Sequence, residues 1–256
     1  MRILLRIGKG VHENAAAYYD EAKGARETAK GVERAIAETE KEIGKARKEH
    51  AAAEKKKAEE TKVARKKAWY EKFHYFFTSA GKLVVGGRSA DQNDFVYKNY
   101  FEEGDLFFHA DIQGGAACVL KGGSGADENE LAEAAQFTAS FSNAWKNGNA
   151  AVDVYCVRRE QVSKHAAGGF IAKGAFAIVG ERTWFRKTGL KLKIGIENEI
   201  ATVLPANCGR KMEKETAIVP GTHEKGEMVK RLSKQLGVHP DEIQNLLPPG
   251  RISVAK

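Results

Sequence analysis

A chain of 256 residues with 42% hydrophobic and 9% aromatic content can bury a real core, which excludes wholesale disorder and allows one domain plus an appendage or two small domains. No apolar run approaches the roughly 18–20 residues of a membrane span, and the stretch from Met1 to Gly8 is too short and interrupted for a signal peptide. Lys and Arg number 42 against 34 Asp and Glu, and this net charge of +8 suits a polyanionic partner while deciding nothing about fold.

Composition shifts sharply near residue 70. From Glu13 to Lys67 the chain is almost entirely Ala, Lys, Arg and Glu, and no proline precedes Pro205, so nothing forces a break in a long helix. Ala22, Ala25, Ala29, Val32, Ile36, Thr39, Ile43 and Ala46 follow a 3-4 repeat, the narrow seam of a coiled coil. The seam weakens beyond His50 and apolar positions return at Val63, Tyr70 and Phe73. Two antiparallel helices are expected, with a turn between Gly44 and Glu54 and arms of roughly 40 Å. A single solvated helix is the competing reading.

From Phe73 the pattern is globular. His74–Ser79 and Lys82–Gly86 flank Ala80-Gly81 as a β-hairpin. Ser89 caps a helix from Ala90 to Tyr100 with Phe95 and Val96 facing inward. Asp105–Ala110 and Ala117–Lys121 read as strands. A helix runs from Asp127 or Glu128 to Trp145, its inner face carrying Leu131, Ala134, Ala135, Thr138, Phe141 and Trp145. Further strands are expected at Val152–Arg158, Phe176–Val179, Trp184–Phe185 and Leu190–Ile196. Helices follow at Lys225–Leu236 and Asp241–Leu247, the latter stopped by Pro248-Pro249-Gly250. Strands and helices alternate without a dinucleotide-binding glycine fingerprint. The fold class is therefore α+β, a mixed α/β globular domain over residues 71–256 preceded by a helical coiled-coil arm over 1–70.

No catalytic constellation stands out, and no catalytic residue, metal or cofactor is assigned. The three cysteines, Cys118, Cys156 and Cys208, match neither a disulfide framework nor a metal knuckle and suit a reducing, cytoplasmic setting. His109 and Asp111, with Asp105 nearby, could bind a divalent ion, act as an acid–base pair, form a polar surface site, or hold the fold through a hydrogen bond, and no second His or Cys sits at ligand spacing. The glycines of Gly86-Gly87-Arg88, Gly114-Gly115 and Lys121–Gly125 lack the order of a phosphate loop and are explained as turns. A different pattern fits more residues: Lys72, His74, Tyr75, Arg88, Gln92, Asn93, Tyr97, Lys98 and Tyr100 interleave cations, aromatics and amides. Cations neutralise phosphates, aromatic faces stack on unpaired bases, and amides bond base edges or the 2′-hydroxyl. Phe76, Phe95 and Phe107 are assigned to the core.

Trp69–Phe76, Gly86–Asp94, Asp105–Gly114, Val162–Ala166 and Gly174–Phe185 resemble the NFACT-R (RNA-binding) domain, with the motifs in the family's order. Val11–Ala15, Tyr18-Tyr19 and the charged helices that follow resemble the family's middle coiled coil in its short archaeal style. The resemblance implies an RNA-binding component of ribosome-associated quality control, working on large ribosomal subunits that carry a stalled nascent chain. It implies tRNA and rRNA as partners, a stalk-base protein for the coiled coil, a separate NFACT-N protein as a further partner, and no membrane. Carried over by motif, Arg88, Asp91, Gln92, Asn93, His109 and Asp111 face nucleic acid, joined by Lys72, His74, Lys98 and Lys121. Arg88 and Lys121 serve phosphate. Met1 falls past the family's NFACT-N domain, so a split gene, a natural short form or a fragment is expected, without that domain's tRNA-recognition residues. Ser89 stands where the family shows an acid, Gly115 where it shows alanine, and Val179 and Glu181 where it tends to be basic. Two other classes compete: an RNA-modifying or RNA-cleaving enzyme using His109 and Asp111, and a coiled-coil protein–protein adaptor.

Overall fold

A computed structural model of the chain describes residues 4–60, 68–166 and 169–255. It divides into two compact units, residues 1–65 and 66–256.

Among the described residues of the first unit there is a single helix. Helix α1 runs unbroken over Val11–Glu60. The turn expected between Gly44 and Glu54 is absent: good helix formers surround Gly44, and one helical glycine costs only about 1 kcal/mol against alanine. At 1.5 Å per residue the helix is about 75 Å long. Its start is built from the segment before it. The Asn14 side chain accepts from Arg6 N–H at 2.9 Å and donates to the carbonyls of Arg6, Lys9 and Gly10. The Tyr18 hydroxyl donates to Leu4 O at 2.7 Å, and Glu13 accepts from Gly10 N–H at 2.9 Å. Asn14 is buried by these contacts, whereas Val32, Ile36 and Ile43 of the seam are about half exposed.

The second unit opens with a 3₁₀ turn, Trp69–Lys72, and the hairpin of β1 (His74–Phe77) and β2 (Leu83–Gly86). Gly81, at φ +87°, makes the reversal, and its N–H donates to Thr78 O. Helix α2 (Ala90–Tyr100) follows, then β3 (Leu106–Ala110) and β4 (Ala117–Leu120). Helix α3 (Glu128–Ser140) is capped by Asp127, which accepts from Glu130 N–H. It stops earlier than expected: the Ser142 hydroxyl donates to Ala139 O and accepts from Ala144 N–H, opening the short α4 (Asn143–Lys146). Strand β5 (Ala151–Arg158) leads into two small ribbons, β6 (Val162–Ser163) with β9 (Ala177–Ile178) and β7 (His165–Ala166) with β8 (Gly169–Phe170). After β10 (Thr183–Gly189) come β11 (Leu192–Glu197), β12 (Ile200–Pro205), β13 (Glu213–His223), α5 (Lys225–Leu236), α6 (Pro240–Leu246) and β14 (Ile252–Val254).

The main sheet is antiparallel with order β1-β2-β4-β3-β5-β10, and a second sheet has order β12-β11-β13-β14. Strand alternation sends neighbouring residues to opposite faces. Phe76, Val84, Phe108, Leu120 and Val154 pack with Phe137 and Trp145 of α3 and α4, in a core continuous with the second sheet and α5. Val85, Phe107, Val119 and Val157 face the other way, under Val96 of α2 and Phe101. Phe76 and Phe107 are core, as expected; Phe95 is not, for it lies 43% exposed while its neighbour Val96 takes the inward position. Strands β12 to β14 were not anticipated, and Val219-Pro220-Gly221 belongs to β13. The register shifts between Pro220 and His223, which tolerates a residue without an N–H, and Gly221 has no room for a Cβ beside Ser253.

Buried polar groups tie the sheet to α3. Glu130 accepts from the Thr78 hydroxyl at 2.6 Å and from the Lys82 ammonium at 2.5 Å, and Glu133 accepts from Ser79 N–H at 2.8 Å. Burial pushes the Glu130 carboxyl up, but the bonds from Lys82, Thr78 and Asp127 N–H outweigh it and hold it below the usual range.

Candidate nucleic-acid interface

The sequence Gly86-Gly87-Arg88-Ser89 delivers the chain from β2 into the first turn of α2. Ser89 accepts from Gln92 N–H at 3.3 Å, so the cap forms where expected. A Cβ on Gly87 would come within 2.6 Å of Asn93 N and overlap its side chain, so only glycine permits this entry. Gln92 faces back along the chain: its Oε1 accepts from Arg88 N–H at 2.9 Å and its Nε2 donates to Lys72 O at 3.4 Å. Asn93 Oδ1 is buried without a hydrogen-bond partner.

Arg88 leaves this turn toward β1 and α6. Its Nη2 donates to Phe73 O at 2.9 Å and Glu71 O at 3.5 Å, and Nη1 donates to Asn245 Oδ1 at 3.3 Å. Burial lowers its pKa from 12.5, opposed by Tyr75. His74 stacks on Phe141 at 4.1 Å between ring centres. Burial, then the charges of Arg88 and Lys225, hold His74 well below 6.5, so the ring is neutral at pH 7. The Lys72 ammonium lies 4.5 Å from the Phe95 ring centre and 5.1 Å from that of Phe73. Trp69 stacks on Tyr100 at 3.9 Å beside them. Phe95 is thus part of a surface aromatic group around a lysine, which explains its exposure.

Lys72, His74, Arg88, Gln92 and Asn93 therefore come together at the start of α2. Asp91 lies at its edge, exposed and ion-paired with Lys173, and Asp94 pairs with Lys164, whose ammonium lies 4.3 Å from the Phe176 ring centre. Lys98 is exposed two turns on from Asp91. His109 and Asp111 belong to a second group. The register of β3, β5 and β10 aligns His109 with Tyr155 and Tyr155 with Trp184 on one face. Arg182 covers the Tyr155 ring at 4.6 Å and Arg186 covers Trp184 at 3.9 Å. Burial lowers the His109 pKa, opposed by Asp111 and a backbone bond with Ala110 and reinforced by Arg182. Among the described residues no hydrogen bond joins His109 to Asp111, and no three His, Cys, Asp or Glu side chains converge as metal ligands.

Lys121 is occupied by the fold. Its ammonium donates to Tyr100 O at 2.8 Å, Glu102 at 2.7 Å and Asp105 at 2.6 Å, filling all three donors. Burial lowers its pKa, but the two carboxylates reverse the sign and raise it. Asp105, buried, also accepts from Glu102 and Gly122 N–H and so anchors the ends of β3 and β4. Its place beside His109 and Asp111 in the sequence does not make it part of their group.

The sequence reading missed Lys225 and Asn245, which reach this region from α5 and α6 and carry no local signal of it. Arg182, Trp184 and Arg186 were also missed. Their alternation was visible, since positions i, i+2 and i+4 of a strand share a face.

Residues 72–180 match the family model described as the NFACT protein RNA binding domain. The chain carries an NFACT RNA-binding domain. In an alignment of 205 residues, 38% are identical to the archaeal Rqc2 homolog aRqcH of Methanocaldococcus jannaschii, which spans 76% of this chain and 30% of that protein. The ribosome quality control complex subunit NEMF homolog of Drosophila melanogaster is 35% identical over 52% of this chain and 14% of its own length. Human ribosome quality control complex subunit NEMF is 36% identical over 47% of this chain and 11% of its own. The chain thus spans less than a third of the length of these relatives. The NFACT domain match includes β1 to β9 and all ten expected site residues, with Lys72 and His74 at its start.

Proposed function

We propose that this chain is an RNA-binding component of ribosome-associated quality control. It binds tRNA or rRNA through the unit of residues 71–256 and engages the large ribosomal subunit, bearing a stalled nascent chain, through the helical arm of residues 1–70. The NFACT RNA-binding domain at residues 72–180, in a chain whose relatives bear ribosome quality control names, is the observation that carries this reading. Cations beside exposed aromatics and amides around the start of α2 support it, because such a surface neutralises phosphates and stacks bases without requiring a base sequence. The enzymatic alternative rests on the His109 and Asp111 side chains.

The half-exposed row of Val32, Ile36 and Ile43 on α1 favours a protein partner for the arm. A stalk-base protein and a separate NFACT-N protein are the partners this reading assigns, in the cytoplasm. The test is binding of tRNA and of large ribosomal subunits across a salt titration, with Arg88→Ala and a deletion of residues 11–68. A steep salt slope for tRNA, lowered by about one unit in Arg88→Ala, is the expected result. The deletion should keep tRNA binding and lose the subunit. Absence of binding to either RNA at low salt would overturn the RNA reading and promote the adaptor.

A further inference from the structure

The main sheet has two edge strands, and the cations around Arg88 lie at only one of them. That edge is β1; the other is β10, five strand spacings or about 24 Å across the sheet. Arg182, Trp184 and Arg186 occupy every second position there, cation, aromatic, cation, and so share one face of the edge strand. The register carries this face inward, Trp184 lying beside Tyr155 of β5 and Tyr155 beside His109 of β3. The rings follow in a row. The centres of His109 and Tyr155 are 5.7 Å apart, and those of Tyr155 and Trp184 are 5.3 Å apart with the rings edge-on.

Two guanidinium groups lie over this row. That of Arg182 is 4.6 Å from the Tyr155 ring centre and 5.8 Å from that of Trp184, and that of Arg186 is 3.9 Å from Trp184. A bulge places Arg186. The pairing of β10 with β5 shifts between Phe185 and Thr188, and Lys187 takes φ +51°. Asp153 holds the kink, accepting from Lys187 N–H at 2.7 Å and from Arg186 Nη1 at 2.6 Å. Arg182 is exposed and makes no hydrogen bond or ion pair among the described residues. A guanidinium held against a ring keeps its outer plane for stacking and its N–H edge for a phosphate. Exposed carboxylates flank the row at Asp111 and Glu181, so charge by itself does not define this surface; the Trp184 ring does.

We propose that Arg182, Trp184 and Arg186, backed by Tyr155, form a second RNA contact that holds unpaired nucleotides by stacking and by phosphate pairing. This rests on the RNA-binding reading and adds to it a ligand class and a place, on a strand that lies beyond the NFACT domain match of residues 72–180. Unpaired RNA is the occupant because its base faces are free, whereas in a duplex the bases are stacked on one another. A row that alternates cation and ring suits a strand that alternates phosphate and base, in a chain of net charge +8. An acidic protein segment would use the two arginines and have no need of Trp184.

The experiment measures binding of single-stranded oligoadenylate, a duplex RNA of equal length and polyglutamate to the full chain by fluorescence anisotropy across a salt titration. Trp184→Ala should weaken the single strand about tenfold at every salt concentration and leave the duplex unmoved. Trp184→Phe, which keeps a ring, should retain most of the affinity. Arg182→Gln should lower the salt slope for the single strand by about one unit. Thermal melts check that each variant folds. If Trp184→Ala does not fold, the single strand should quench tryptophan emission in the wild type and lose most of that quench in Trp184→Phe. A single strand that binds with Trp184→Ala, Arg182→Gln and the quench in Trp184→Phe all unchanged overturns this contact and leaves the RNA reading intact. Equal losses for duplex and single strand overturn the choice of unpaired nucleotides. Absence of binding to either RNA at low salt overturns the RNA reading itself, and polyglutamate bound in that case would replace RNA with an acidic protein as the occupant.

Discussion

Helix α1 and the sheet unit are built from opposite kinds of information. Along α1 nearly every described side chain is exposed, and beyond the bonds of Glu13, Asn14 and Tyr18 at its start the helix rests mainly on backbone hydrogen bonds and residue propensity. In the sheet unit Phe76, Phe108, Phe137 and Trp145 are fully enclosed and each depends on partners far away in sequence. The first can lose an apolar side chain such as Val32, Ile36 or Ile43 at little cost to itself, since each is about half exposed. The second cannot, and its surface cations are held in place by a core that leaves them few alternatives.

The widest contrast comes from matched truncations. Phe137→Ala should destabilise the sheet unit by about 3–5 kcal/mol in denaturant unfolding, against less than about 0.5 kcal/mol for Ile36→Ala on α1. A comparable loss at both would show that the Ile36 side chain is buried in solution. Lys82→Ala should cost about 1–3 kcal/mol, because Glu130 keeps its burial and loses its cation. The carboxyl of Glu130 should then titrate higher. Ser89→Ala removes the cap of α2 at about 1 kcal/mol. Gly44→Ala should add up to about 1 kcal/mol to local helix stability, seen in hydrogen exchange along α1, and leave the melting of the sheet unit unmoved.

Acid should also separate the two units. His74 and His109 have folded-state pKa values lowered below 6.5, so the unfolded chain binds more protons as pH falls past that value. Their contribution to stability is intact above about 6.5 and is lost as pH falls toward their folded values. The sheet unit should soften between pH 6.5 and lower values, with His74→Phe reducing the slope in thermal melts. A melting temperature flat across that interval would show that neither ring is held neutral by the fold.

Local signals carried far through this chain. Ser89 with Gln92 three residues on marks the start of α2, and the alternation through His74–Phe77 and Leu83–Gly86 marks the hairpin, because caps and tight turns are made by residues close in sequence. The break after Ser140 was hidden, since Phe141 and Trp145 continue the helical spacing while Ser142 turns the backbone. Strand β13 was hidden behind Pro220 and Gly221, which signal a turn unless a bulge accommodates them. In the site, the residues of α2 and β1 were legible as one group, and Lys121 was misleading: its sequence neighbours suggest a free cation, whereas the approach of Glu102 and Asp105 consumes it.

By itself the sequence determined the helical nature of residues 11–60, the α+β character of the rest, and the NFACT-R motifs with their candidate cations and amides, since composition, period and motif spacing are local properties. Only the tertiary structure decided which of those cations are available. Arg88 and Lys225, 137 positions apart, are set against the same histidine, while Lys121 is spent on two carboxylates. The physical reason is that the charge state and free donors of a side chain depend on distance and burial, which come from packing elements remote in the chain.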